Sequence, residues 1–131
     1  MSEAVESASR KKLLVVEDEV EVGRLIARVA EKAGYSVTVL TDSTEFKEVF
    51  KEFKPSVVTI DILMPEVDGI ELIQWIGQLK SELPVVIISG ADPLFTDLAK
   101  LLASASGAHQ VHYLPKPLDL RALTGILSRW I

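Results

Sequence analysis

The stretch "VVTIDILMPEVDG" (residues 57–69) joins a short apolar run directly to a carboxylate and then to turn-forming residues. The run "VVTI" is typical of a strand that is buried on both faces of a sheet. Asp61 follows it at once, although burying an unpaired charge is costly. Two interpretations are open at this point: Asp61 caps the turn that Pro65 and Gly69 indicate, or it is held at the strand end to do chemistry.

Strand-like and helix-like segments alternate five times along the chain. Short apolar or alternating runs predict the strands, and amphipathic stripes with capping signals predict the helices. The predicted strands are residues 13–16, 35–40, 57–60, 85–88 and 110–114, and the predicted helices are residues 20–34, 42–54, 70–80, 92–106 and 119–131. Such alternation with short connections predicts an α/β domain with a parallel sheet and helices on both faces.

The composition of the strands also predicts their order. The first, third and fourth runs are nearly all apolar, as strands inside a parallel sheet are, whereas the second and fifth are mixed, as edge strands are. The sequence therefore predicts a five-stranded sheet of order 2-1-3-4-5, which is the flavodoxin-like doubly wound fold.

Length, charge and cysteine content bound the class of protein. The 131 residues fit one domain, with residues 1–11 as a flexible tail without periodicity and residues 12–131 as the folded unit. The net charge of −5 argues against direct contact with nucleic acid, and no apolar run is long enough to span a membrane. The chain has no cysteine. We expect a cytoplasmic protein that contacts neither nucleic acid nor a membrane.

Polar residues follow the strands at the edge where such folds bind ligands. Glu17 and Asp18 follow the first strand, Asp61 the third, Ser89 the fourth, and Lys116 lies just beyond the fifth. The ligand crevice of a doubly wound sheet lies outside the carboxyl ends of its strands, at the switch point between the first and third. Three carboxylates, a hydroxyl and an ammonium are therefore predicted to meet there.

That set of groups restricts the chemistry. Carboxylates crowded into one crevice raise one another's pKa unless a cation neutralises them. Oxygen ligands suit a hard cation such as Mg²⁺. A carboxylate beside a metal ion, a lysine and a hydroxyl is well arranged to attack phosphorus. Asp61 is therefore predicted to accept a phosphoryl group, whereas Glu19 and Glu21 are explained by the dipole at a helix start.

Four motifs in order, "VVEDE", "DILMPEVDG", "IISGAD" and "LPKP", resemble those of response-regulator receiver domains of two-component signalling, from residue 12 to the C-terminus. The resemblance implies that Asp61 is the phosphoacceptor. It also implies a metal site for Mg²⁺, with Mn²⁺ able to substitute. Asp18, Asp61 and the backbone carbonyl of Leu63 would bind the metal directly, and Glu17, which stands where Asp is more usual, would act through water.

The resemblance assigns further roles on the other side of the crevice. Ser89 resembles the switch hydroxyl, Lys116 the phosphoryl-binding lysine and Tyr113 the aromatic switch residue. The bond between Lys116 and Pro117 is predicted to be cis. The segment from Ser89 to Lys116 is longer than is usual in the family.

The implied function is a switch phosphorylated by a histidine kinase or a histidine phosphotransfer protein and read by a downstream protein or output domain. It is not a conventional enzyme, although it promotes its own phosphorylation and dephosphorylation. The dephosphorylation is expected to be slow, because apolar Leu63 and Ala91 flank the path of the attacking water. A homodimer through the predicted helix at residues 92–106, the fifth strand and the last helix is a further expectation.

Two other functions are open to this sequence. A haloacid-dehalogenase-like phosphatase also uses an aspartate nucleophile, but it needs a second aspartate where this chain has Leu63. A degenerate receiver would act only as a binding or dimerisation module. Because every residue of the acceptor site is present, phosphorylation is the favoured reading.

Overall fold

A five-stranded parallel sheet of order β2-β1-β3-β4-β5 forms the centre of the molecule. The computed structural model describes residues 10–62, 69–79, 83–90, 97, 101 and 110–131. The strands are β1 (Lys12–Val16), β2 (Ser36–Leu40), β3 (Val57–Ile60), β4 (Val85–Ser89) and β5 (Val111–Pro115). The predicted fold class and strand order are confirmed.

Helices lie on both faces of this sheet, because each of its inner strands is apolar on both sides. The helices are α1 (Val20–Ala33), α2 (Phe46–Phe53), α3 (Gly69–Gln78) and α4 (Leu120–Leu127), with 3₁₀ turns at Ser43–Glu45 and Ser128–Trp130. No helix within the described ranges has both the length and the apolar character that crossing a membrane requires.

Burial separates the inner strands from the edge strands as the sequence predicted. Every residue of β3 and β4 is buried, whereas three of the five residues of β2 and of β5 are only partly buried. β1 pairs with β2 on one side and with β3 on the other, all in parallel register. An inner strand has helices above and below it, so both of its faces need apolar side chains.

One core layer lies between the sheet and helices α2 and α3. Phe46 of α2 is fully buried there, and its ring centroid lies 5.8 Å from that of Trp75 of α3 in an edge-to-face arrangement. Phe50 completes this aromatic group, with its ring 5.4 Å from Trp75. These rings pack the two helices against each other and against the sheet.

The other core layer lies between the sheet and helices α1 and α4. At one end of it a buried hydrogen bond joins Tyr35 to Leu127, and we call Gly34, Tyr35, Leu127 and Ile131 the Tyr35 junction. Gly34 ends α1 with a φ of 111°, and the predicted glycine C-cap is thereby confirmed. The turn buries Tyr35 completely, and its hydroxyl donates to the Leu127 carbonyl oxygen at 2.8 Å. A Cβ at Gly34 would lie 3.4 Å from Ile131, so the chain end packs against this turn.

Some predicted boundaries differ from the observed ones. The second predicted helix begins with a 3₁₀ turn, because Asp42 accepts a hydrogen bond from the Thr44 backbone N–H at 3.0 Å and the α-helix itself starts at Phe46. Most of the predicted tail, residues 1–9, lies outside the described residues. The same holds for the predicted helix at residues 92–106, of which only residues 97 and 101 are described, both in helical conformation.

Candidate functional site

Three of the candidate residues, Glu17, Asp61 and Lys116, directly follow the last residue of a strand. The Glu17 N–H donates to the Leu40 carbonyl oxygen at 3.1 Å, and the Asp61 N–H donates to the Val16 carbonyl oxygen at 3.0 Å. At the other side of the sheet, the Lys116 N–H donates to the Ser89 carbonyl oxygen at 3.1 Å. The sheet pairing therefore continues past the strand ends, and it fixes where these side chains begin.

Lys116 contacts three acidic side chains at this edge. Its Nζ lies 3.0 Å from Asp61 Oδ2, and 3.1 Å and 3.3 Å from the two carboxylate oxygens of Glu17. A longer contact of 3.4 Å reaches Glu19 Oε1. We call Glu17, Glu19, Asp61 and Lys116 the acidic site. In it, one ammonium group serves three carboxylates.

Most of this charge is buried. The side chains of Glu17 and Asp61 are 1% and 4% exposed, whereas that of Glu19 is 61% exposed. Burial, followed by repulsion from Asp61, raises the pKa of Glu17 to about 7, although the hydrogen bond from Lys116 opposes this. Burial by itself would lower the pKa of Lys116, but hydrogen bonds to Asp61 and Glu17 outweigh it and raise that pKa. The site therefore has a deficit of positive charge.

The residues present fit a hard divalent cation. Oxygen atoms of Glu17, Glu19 and Asp61 all lie within 4.8 Å of one another. Within the described part of the chain, Asp18 Oδ1 is buried and has no hydrogen-bond partner, and Glu17 Oε1 is buried with an ion-pair contact of 3.1 Å to Lys116 Nζ but no hydrogen bond. Orphaned buried carboxylate oxygens are costly unless a cation or water satisfies them. Oxygen donors of this kind suit Mg²⁺.

The structure places the sequence-predicted metal residues in different ways. Glu17 and Asp61 lie together, as predicted. Asp18 is half-buried beside them, but its carboxylate is not in the group of described oxygens that lie within 4.8 Å of one another. The predicted metal contact of Leu63 falls outside the described residues.

The predicted switch residues contact each other across two neighbouring strands, with Ser89 at the end of β4 and Tyr113 in β5. Ser89 is fully buried, and the hydroxyl of Tyr113 donates to its carbonyl oxygen at 3.1 Å. The ring of Tyr113 packs against the core layer below α2 and α3. The cis bond predicted between Lys116 and Pro117 is confirmed. Tyr113 is thus joined through β4 to the edge that carries Lys116.

Glu19 is the residue of this site that the sequence interpretation missed. The dipole at the start of α1 explained its charge well enough, so nothing drew attention to its side chain. The available signal was its place within "VVEDE", directly after two residues already assigned to the crevice. What the sequence could not show is that its carboxylate turns toward a lysine that is 97 residues away along the chain.

Comparison with known proteins agrees with this geometry. The family model described as the response regulator receiver domain matches residues 13–128. The chain is 30% identical over 112 residues to response regulator MprA of Mycobacterium sp. (strain KMS), covering 86% of this chain and 46% of that protein. It is 32% identical over 111 residues to the alkaline phosphatase synthesis transcriptional regulatory protein PhoP of Bacillus subtilis (strain 168), covering 85% and 44%. The chain thus spans about half the length of these relatives.

Solved structures agree as well. The receiver domain of the Francisella response regulator 1452 superimposes with a TM-score of 0.73 and 28% identity, covering 92% of this chain and 98% of that one. A CheY-like receiver domain protein from Methanospirillum hungatei JF-1 superimposes with a TM-score of 0.80 over 93% and 94%, and at 21% identity it supports the fold alone. Because the family model spans most of the chain and the fold agrees, this chain belongs to the receiver domains of two-component response regulators.

Proposed function

We propose that the chain is a phosphorylatable signalling switch in which Asp61 accepts a phosphoryl group from a histidine kinase or a histidine phosphotransfer protein, in an Mg²⁺-dependent reaction. The observation that carries the proposal is the placing of Lys116 Nζ 3.0 Å from Asp61 Oδ2, at a strand-end edge where three carboxylates share one ammonium. A cytoplasmic location is part of the same proposal.

The reaction assigned to Asp61 is a simple displacement at phosphorus. One carboxylate oxygen forms a bond to phosphorus, while the bond between phosphorus and the donor breaks and the donor keeps that electron pair. The donor atom is an imidazole nitrogen in a phosphohistidine and an acetate oxygen in acetyl phosphate. Lys116 then places its positive charge against the phosphoryl oxygens, where negative charge must be neutralised.

Mg²⁺, when bound, supplies the positive charge that the three carboxylates and the phosphoryl oxygens together lack. Asp18, Asp61 and the carbonyl of Leu63 would hold it directly, with Glu17 acting through water; Mn²⁺ would substitute. The buried Asp18 Oδ1, which has no hydrogen-bond partner, and the Glu17 carboxylate, which shares Lys116 with two others, support this assignment.

The switch that follows is assigned to Ser89 and Tyr113. The Ser89 hydroxyl would bind the phosphoryl group, and the Tyr113 contact with the Ser89 carbonyl oxygen would carry the change to β5. A downstream protein or output domain would read it, as would a second copy docking through β5, α4 and the predicted helix at residues 92–106. That the longer relatives include a transcriptional regulatory protein supports an output domain as the reader.

The test is phosphorylation by acetyl phosphate, with intact mass as the measurement. We expect one phosphoryl adduct on the wild type with Mg²⁺, and none with EDTA or in Asp61→Asn. The matched control is Asp97→Asn, because it makes the same chemical change at an exposed aspartate. An adduct that survives in Asp61→Asn would contradict the proposed acceptor.

The remaining candidate is a degenerate receiver that binds partners without phosphorylation. In that case the wild type would stay unmodified at saturating donor and metal concentrations while remaining folded. The close contact of Lys116 with Asp61 favours the phosphorylated switch, since a module used only for binding has no need of a crowded buried acidic site.

A further inference from the structure

Glu19 lies at the N-cap of α1 but does not act as a cap. Its backbone is extended, with φ of −82° and ψ of 107°, and its side chain makes no capping hydrogen bond. A side chain that caps a helix at this position accepts a hydrogen bond from one of the first free backbone N–H groups of the helix. That of Glu19 instead extends to Lys116 Nζ, at 3.4 Å. The helix start therefore gives no reason for its orientation, whereas Lys116 does.

The three ammonium protons of Lys116 are all used in this arrangement. Hydrogen bonds run from Nζ to Asp61 Oδ2, Glu17 Oε2 and Glu19 Oε1, at 3.0, 3.3 and 3.4 Å. A lysine ammonium has three donors and no more. A phosphoryl group on Asp61 can therefore gain a hydrogen bond from Lys116 only if one of the present acceptors gives it up.

Glu19 is the acceptor that can leave most easily. Its contact is the longest of the three, and its side chain is 61% exposed, against 1% for Glu17 and 4% for Asp61. An exposed carboxylate regains water when it leaves a pair, whereas a buried one does not. Glu17 is further retained because its Oε2 accepts the Glu19 backbone N–H at 3.2 Å.

We propose that Glu19 is a positioning residue that holds Lys116 in the unphosphorylated protein and is displaced from it by the phosphoryl group. The inference rests on the proposed function of Asp61 and adds to it a competitor for the lysine. Phosphorylation would be slower with Glu19 bound to Lys116 than with Lys116 free of Glu19. The separation of Glu19 from Lys116 would accompany the switch. No covalent step involves Glu19 itself.

The variants that test this remove the charge while keeping the size of the side chain. Glu19→Gln is the test, and Glu21→Gln is the matched control. Glu21 lies in the first turn of the same helix, is 88% exposed, and pairs with Arg24 instead of Lys116. Both variants therefore change the net charge and the helix start alike, and they differ in the contact with Lys116.

The first measurement needs neither metal nor phosphorylation. The exchange rate of the Lys116 ammonium protons, followed by NMR in EDTA, reports how firmly Nζ is held. We expect faster exchange in Glu19→Gln than in the wild type, and no change in Glu21→Gln. Equal exchange in the wild type and Glu19→Gln would overturn the holding role of Glu19.

The second measurement is the initial rate of phosphorylation by acetyl phosphate at saturating Mg²⁺. We expect Glu19→Gln to react about twofold to fivefold faster than Glu21→Gln, as the loss of a partly exposed ion pair suggests. The ratio should fall toward one in about 1 M salt, because an exposed pair is screened. A structural effect of the substitution on α1 would not follow salt in this way.

The outcomes separate this inference from the proposed function. If the wild type gains an adduct but Glu19→Gln reacts no faster than Glu21→Gln, the displacement of Glu19 is wrong and the role of Asp61 stands. If the wild type gains no adduct, the proposed function and the release step both fall. The exchange measurement then decides whether Glu19 holds Lys116.

Discussion

The acidic site and the Tyr35 junction both join residues that are far apart in the chain, and they do so with opposite energetics. The contact of Lys116 with Asp61 spans 55 residues, and that of Tyr35 with Leu127 spans 92. At the junction a single polar group is fully buried and its hydroxyl has its partner. At the acidic site, buried carboxylates compete for one lysine, and the buried Oδ1 of the adjacent Asp18 has no hydrogen-bond partner.

The difference shows that the Tyr35 junction stabilises this fold, whereas the acidic site destabilises it. A buried hydroxyl that keeps its hydrogen bond, surrounded by apolar side chains, favours the folded state. Buried carboxylates in excess of their cation oppose it. We therefore expect substitutions at the junction to destabilise the protein and to leave phosphorylation unchanged. Substitutions that replace a carboxylate of the acidic site by an uncharged side chain should instead stabilise the metal-free protein and alter phosphorylation.

The largest effect is expected at the junction itself. Tyr35→Ala leaves a cavity below α1 and α4 and removes the hydrogen bond to Leu127, so the free energy of unfolding should fall by about 3 to 5 kcal/mol. Urea denaturation measures it. The control is Tyr113→Phe, which removes a hydroxyl from a partly exposed tyrosine. A loss under about 1 kcal/mol in Tyr35→Ala would contradict the comparison.

A smaller effect is expected at alkaline pH. Burial raises the pKa of Tyr35 to about 12, from an ordinary value of 10.0. Because the folded state holds this proton more tightly, the stabilisation is fully present below pH 10 and is lost as the pH rises to 12. The difference is about 2 to 3 kcal/mol.

The measurement is the free energy of unfolding of the wild type against that of Tyr35→Phe across this pH range. The phenylalanine variant lacks the titrating group but keeps the ring, so the titrations of Tyr113 and of the lysines cancel in the comparison. Parallel curves for the two proteins would show that burial does not raise the pKa of Tyr35.

The smallest effect is expected at the acidic site, and it has the opposite sign. Glu17→Gln removes a buried charge whose pKa is raised to about 7, chiefly by burial and then by Asp61. In EDTA at pH 8 the variant should be more stable than the wild type by about 1 to 2 kcal/mol. Since a raised pKa stabilises the folded state only at low pH, this advantage should disappear toward pH 5.

Added Mg²⁺ should reverse the order of the two proteins, because a ligand that binds only the folded state stabilises it. Glu21→Gln serves as the control, as it neutralises an exposed glutamate outside the site. Thermal unfolding with and without the metal measures both effects. A Glu17→Gln protein that is less stable than the wild type in EDTA at pH 8 would contradict the idea that the site is short of positive charge.

Much of this molecule was predictable because local patterns and global fold agree. Apolar runs of four or five residues indicated the strands, and the mixed composition of β2 and β5 indicated the edges. Asp61 and Lys116 could be placed at one edge because parallel strands bring their carboxyl ends together. The start of α2 was missed, since Asp42 favours a tight turn as readily as a full helix.

The sequence by itself determined the strand order, the positions of Glu17, Asp61, Ser89 and Lys116 at the strand ends, and the C-cap at Gly34. Periodicity and turn chemistry act over a few residues, so they can be read from the chain. Only the tertiary structure decided which carboxylates share the lysine. The reach of Glu19 toward Lys116 depends on two loops being brought together by the sheet, and a competition for three ammonium protons exists only once those side chains meet.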